Sequence, residues 1–68
     1  MLTHTAALEV ARLVLPSALI IWLDREPMID ECDDLVTWTG RIERFDGSKA
    51  TFAFDEHYPE GVSIEEAR

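Results

Sequence analysis

A chain of 68 residues holds one domain at most, and a domain of that size buries only about 60% of its unfolded surface, which leaves thin stability. A composition that is 47% hydrophobic excludes a disordered chain, and a single cysteine, Cys32, excludes a disulfide framework. The formal charge of −8 speaks against unaided binding to a phosphate backbone, which requires a basic patch.

Residues 5–15 read as a helix, capped by Thr5 or Thr3 and ended by Pro16. Ala6, Val10 and Leu13 line one face, with Ala7, Ala11 and Val14 beside them. Only Glu9 and Arg12, spaced to pair at i,i+3, interrupt the apolar surface. Such a helix needs cover on most sides. Either it packs across a sheet or it meets a second copy, which makes residues 5–15 a candidate homodimer surface.

Ala18–Leu23 reads as a short buried strand bounded by Pro16-Ser17 and Asp24. The apolar stretch Leu13–Leu23 falls short of the roughly 20 residues a membrane span needs. No basic n-region of a signal peptide precedes it. A soluble, intracellular (cytoplasmic) protein without a membrane partner is the expectation. Residues 24–34 carry six acids and Pro27 and read as a loop.

From Val36 to Phe54, two runs rich in aromatic and β-branched residues flank Asp46-Gly47, a strong hairpin signal. A two-residue turn would set Arg41 against Phe52 and mix the core and solvent faces. A three-residue loop repairs this, either Phe45–Gly47 or residues 46–48. The first puts Gly47 at the left-handed position of a bulged turn and is the register expected here. The pairs are then Glu43–Lys49, Ile42–Ala50, Gly40–Phe52 and Trp38–Phe54: an ion pair, an aromatic covering a glycine and an aromatic pair. Residues 55–61 read as a turn-rich loop, Val62–Ile64 as one more short strand, and residues 65–68 as a polar tail. The whole is a single domain, residues 1–68, mainly β in the α+β class. The strands over 18–64 form a strongly bent antiparallel sheet or a small barrel, with one N-terminal helix.

Candidate chemistry is sparse. His4, Cys32 and His57 show no ligand spacing, and the acid run Asp30–Asp34 lacks the alternating ligands and glycine of a calcium loop. No nucleophile elbow or glycine-rich phosphate loop is present, and four neighbouring acids disfavour a Cys32 thiolate. Neither an enzyme nor a cofactor or metal site is expected.

The aromatics Trp22, Trp38, Phe54 and Tyr58 remain. Ala18-Leu-Ile-Ile-Trp22, Thr37-Trp-Thr-Gly-Arg-Ile42 and Ala50-Thr-Phe-Ala-Phe-Asp-Glu-His-Tyr58 resemble the first three strands, and the aromatic loop that follows them, of the Tudor domain, a small SH3-like barrel. The resemblance covers about residues 18–64. Phe54 stands where tyrosine is common, and Pro59-Glu60 replaces the usual glycine-asparagine. The resemblance implies an aromatic cage of Trp22, Trp38, Phe54 and Tyr58 for methylated arginine or lysine, with Asp55 or Glu56 as its anionic wall. Cation–π attraction of about 0.5–2 kcal/mol per contact would hold such a group. The alternative is that these rings fill the core.

The function this supports is a non-enzymatic protein-interaction module whose aromatic face and acidic rim take a basic or methylated peptide. Two alternatives are a small acidic inhibitor that mimics nucleic acid, of the kind mobile elements encode, and a structural subunit that dimerises through residues 5–15. Evenly spaced carboxylates along one surface would favour the mimic.

Overall fold

The computed structural model describes residues 1–67. Thr3 is extended and its Oγ1 accepts from the Ala6 N–H at 3.1 Å, so helix α1 begins at His4 and runs to Val14. The Leu15 N–H donates to the Ala11 carbonyl at 2.9 Å, and Pro16 has no N–H with which to continue. The helix buries Ala7 and Ala11, followed by Leu15, with Val10 and Val14 packed beside them. Leu13 does not share this stripe and is 81% exposed. Contact with the sheet follows positions 7, 10, 11 and 14, and Leu13 falls outside that arc. Beyond Leu13 the exposed surface is polar, with Thr5, Glu9 and Arg12. Of the two arrangements expected for this helix, packing across the sheet is the one that Ala7, Val10, Ala11 and Val14 make.

Five antiparallel strands follow: β1 Ala18–Leu23, β2 Met28–Asp30, β3 Leu35–Arg44, β4 Lys49–Asp55 and β5 Tyr58–Glu66. Their order is β1-β3-β4-β5, and β2 also pairs with β3. Trp22 faces Arg41 while Met28 faces Thr37, so β1 and β2 lie end to end along one edge of β3. Among the described residues no ladder joins β1 to β5, and the sheet is open.

Ala18–Leu23 is not the buried strand expected, since Leu19, Ile20 and Trp22 are exposed on it. Two further expectations of secondary structure are corrected. Residues 24–34 are not all loop, because Met28–Asp30 forms β2. The acids there build the turn that makes β2 possible. Asp30 Oδ1 accepts from the Cys32 N–H at 3.0 Å and the Asp33 N–H at 3.4 Å, and Asp34 adopts φ +52°, a left-handed conformation that aspartate tolerates. Secondly, Glu65 and Glu66 are not tail, since they pair with Thr51 and Ala50. β5 also starts earlier than Val62, directly after the Glu56-His57 turn, where Asp55 Oδ1 accepts from the His57 N–H at 2.9 Å.

The central hairpin has the expected register: Glu43–Lys49, Ile42–Ala50, Gly40–Phe52 and Trp38–Phe54 all face each other. Arg44 and Ser48 close it (Arg44 N–H to Ser48 O, 2.9 Å), and Gly47 sits at φ +86°. Asp46 accepts from both the backbone N–H and the hydroxyl of Ser48. The Ser48 hydroxyl, ahead of its N–H, draws the Asp46 pKa below its usual value. The expected Glu43–Lys49 ion pair does not form. Instead Arg44 holds Glu66 through its two terminal guanidinium nitrogens, Nη1 and Nη2, each at 2.7 Å, a fork that matches a carboxylate.

Alternation sends Trp38, Ile42, Ala50, Phe52 and Phe54 to one face, where they meet Ala7, Ala11 and Leu15. The helix backbone comes nearest to β1 and β5, at the two ends of the sheet. The sheet thus curls around the helix, and the large rings of β3 and β4 fill the hollow between. Gly40 is needed where β1 and the Phe52 ring approach β3 closely. A Cβ there would stand 2.2 Å from the Trp22 carbonyl oxygen and 2.9 Å from the Phe52 ring.

Candidate functional site

The structure separates the aromatics of the expected cage. Trp38 and Phe54 are each 2% exposed and lie between sheet and helix. The Trp38 indole N–H donates to Glu56 Oε1 at 3.2 Å, and His4 meets the ring edge-on at 6.3 Å. Neither ring is open to a ligand. Trp22 and Tyr58 point to the opposite, outer face, because they align with Arg41 and Asp55. There they occupy opposite edges. Four residues along β3 and three strands across the sheet place them on the order of 20 Å apart. Tyr58 packs against Gly61. The four rings therefore do not form one cage.

The acids of that expected wall are also engaged elsewhere. Asp55 holds its own turn. Glu56 Oε1 accepts from the Leu2 N–H at 2.6 Å as well as from Trp38, which ties the chain ahead of α1 to the core. Desolvation is the largest influence on the Glu56 carboxyl and opposes its ionisation. The Leu2 and Trp38 hydrogen bonds, with the charges of the N-terminus and His57, together outweigh it and hold the pKa below the ordinary value. Glu56 is a structural latch.

What the outer face does offer lies along the β1–β2 edge. Ile20, Trp22 and Met28 share that face with Leu35, and all four are exposed. Between and around them stand the exposed acids Asp24, Glu26 and Asp30. Asp24 is fixed by the Thr39 hydroxyl at 2.7 Å. Arg41 lies over the Trp22 ring, 5.6 Å from its centroid. A shallow hollow of about 700 Å³ continues from Asp24 across Thr39, Thr51, Ala53 and Ser63. Ile20, Met28 and Leu35 do not stand out in the sequence. The available signal is Met28-Ile29, an apolar pair inside an acidic run just after Pro27.

The remaining carboxylates do not form one evenly spaced row. Those of residues 24–34 follow the β1–β2 edge, and Glu60, Glu65 and Glu66 belong to β5 at the other edge. Cys32 is an exposed free thiol. Among the described residues no group of three or more His, Cys, Asp or Glu side chains is placed to hold a metal ion. No helix of the described residues is long and apolar enough to cross a membrane. Comparison with protein-family models, with curated proteins and with solved structures yields no match.

Proposed function

We propose that the chain is a non-enzymatic protein-interaction module that takes a basic segment of a partner protein along the outer face of the β1–β2 edge. The observation that carries this reading is the stripe Ile20, Trp22, Met28 and Leu35, exposed and interleaved with Asp24, Glu26 and Asp30. Apolar contacts supply the favourable burial, and the acids select a cationic partner. Arg41 already covers part of the Trp22 ring, so the partner meets that ring through an aliphatic side chain and directs its cations to the carboxylates. A methylated cation is not required, because Trp38 and Phe54 are enclosed.

Titration with a capped lysine- and valine-containing peptide tests the reading by NMR. The Trp22 indole signal shifts and that of Trp38 does not. Binding weakens as salt is raised and in Asp24→Asn and Glu26→Gln variants. An unmoved Trp22 signal, or binding indifferent to both substitutions and to salt, removes the proposal.

A further inference from the structure

Resting on that reading, we infer the mode of attachment: the basic segment binds as an added strand on the open edge of β1. The phase of the β1–β3 ladder exposes the required groups. The Asp24 N–H donates to the Thr39 carbonyl at 3.0 Å, which makes Asp24–Thr39 a hydrogen-bonded pair. Alternation makes Trp22–Arg41 and Ile20–Glu43 such pairs too, and turns the main-chain groups of Ile21 and Leu23 away from β3. The Leu23 carbonyl accepts from His4 Nε2 at 3.2 Å. By that phase the Ile21 N–H, the Ile21 carbonyl and the Leu23 N–H point away from β3, and among the described residues no other strand lies beside β1.

The two edges of this sheet are also guarded unequally. β5 carries Pro59, Glu60, Gly61, Glu65 and Glu66, the residue types that discourage pairing with another strand. β1 is Ala-Leu-Ile-Ile-Trp-Leu, without charge, proline or glycine, and its bulge between Ala18 and Ile20 lies at its start, before Ile21 and Leu23. An open, apolar, unguarded edge accepts main-chain hydrogen bonds from an extended peptide. Charge decides the occupant. Exposed Asp24 and Glu26 stand where β1 ends, and a second copy would bring another body of formal charge −8 to the same place. An extended segment with aliphatic residues at two successive positions of one face and a basic residue at the next position of that same face fits both features. Its aliphatic side chains lie beside Ile20 and Trp22, and the cation next on that face reaches Asp24, with Glu26 beyond it. The His4 bond ends the usable edge at Leu23.

The test uses the intact chain and a capped peptide with valine, valine and lysine at successive positions of one face and threonine between them. Comparison peptides are the same sequence N-methylated at alternate residues, made in both phases, and a glutamate-valine version. Strand addition slows hydrogen exchange at the Ile21 and Leu23 amides by at least about tenfold at saturation. One methylated phase loses binding while the other keeps it, and the glutamate peptide does not bind. Ile20→Lys, at a side chain already 41% exposed, keeps its thermal midpoint and loses the lysine peptide. If the lysine peptide binds, but both methylated phases bind equally and the two amides exchange as before, strand addition is wrong and the basic-partner reading stands. If no lysine peptide binds, both fall. If sedimentation shows a dimer with the Ile21 amide protected in the absence of peptide, the occupant is a second copy and the inference is overturned.

Discussion

Replacing Gly40 with alanine gives a change of stability whose sign is opposite to the usual one. In an ordinary strand, Gly→Ala at a compatible conformation stabilises by about 0.4–1 kcal/mol, mainly by restricting the unfolded chain. At Gly40 the new methyl stands 2.2 Å from the Trp22 carbonyl oxygen and 2.9 Å from Phe52 Cε2 and Cζ, whereas Cβ contacts below 3.0 Å essentially never occur. The ring can turn a little, but the oxygen belongs to the β1 backbone beside β3. Opening that contact separates β1 from β3 where Leu23 pairs with Gly40. Overpacking of this kind costs about 1–3 kcal/mol, and a contact with fixed backbone belongs at the upper end, so a net loss of about 2–3 kcal/mol is expected after the unfolded-state gain. A domain of this length holds roughly 3–10 kcal/mol in all, so the loss is a large part of it. Urea unfolding followed by tryptophan fluorescence reads it as a lower midpoint at unchanged slope. Gly47→Ala is the control. Nothing lies within 4 Å of its new methyl, and only the φ of +86° opposes it, which costs about 1–2 kcal/mol. A Gly40→Ala chain as stable as the parent, or more stable, refutes the close approach and the β1–β3 pairing built on it.

The two tryptophans separate core from surface. Trp38→Ala costs about 3–5 kcal/mol and largely unfolds the chain, whereas Trp22→Ala costs less than about 1.5 kcal/mol, since its ring is exposed and its main contact is a cation–π pair with Arg41; thermal unfolding of both variants checks this, and equal losses contradict the assignment. Glu56→Ala leaves the buried Trp38 indole N–H without its acceptor, a loss of about 1–3 kcal/mol, measured by urea unfolding. Because the folded Glu56 carboxyl titrates below its unfolded value, its contribution is complete above about pH 4.3 and disappears as pH falls through the folded value. The acid limb of the stability profile is therefore shallower in Glu56→Gln than in the parent. A chain truncated after Ile64 loses the Glu65–Thr51 and Glu66–Ala50 pairs and the Arg44–Glu66 fork, and unfolds at lower urea; an unchanged midpoint would return those residues to a tail.

Much of the fold was legible because its signals are local. Thr3 and Pro16 mark α1, and the Asp46-Gly47 turn, combined with alternation, specifies the whole β3–β4 register down to Phe52 over Gly40. β2 was hidden because its stability is borrowed from β3. Three residues beside a proline and a run of acids carry no strand signal of their own, and only the pairing of Met28 with Thr37 makes them one. The length of β5 was hidden for the same reason. Glutamates at positions 65 and 66 read as solvated ends until a neighbouring strand and Arg44 give them partners.

The cage failed at a longer-range step. Trp38 and Phe54 share a face through the hairpin, and that was readable. Whether Trp22 joins them depends on which residue of β3 it opposes, and no turn rule fixes this across a connection that includes β2. Facing Ile42 would put the ring inside; facing Arg41 puts it outside. The bulge between Ala18 and Ile20 shifts the register by one residue, and a one-residue shift exchanges the faces of a strand. Ile21 and Leu23 consequently line the core while Ile20 and Trp22 face solvent. The charge divides in a similar way. Asp30, Asp46 and Asp55 use their carboxylates to close turns, and Glu56 uses its own to hold the core. The −8 is therefore spread over turns and the core contact as well as over the β1–β2 edge. Asp24 and Glu26, beside the unguarded strand, carry more of the case for a basic ligand than the net charge does, and substituting those two residues separates local from global electrostatics.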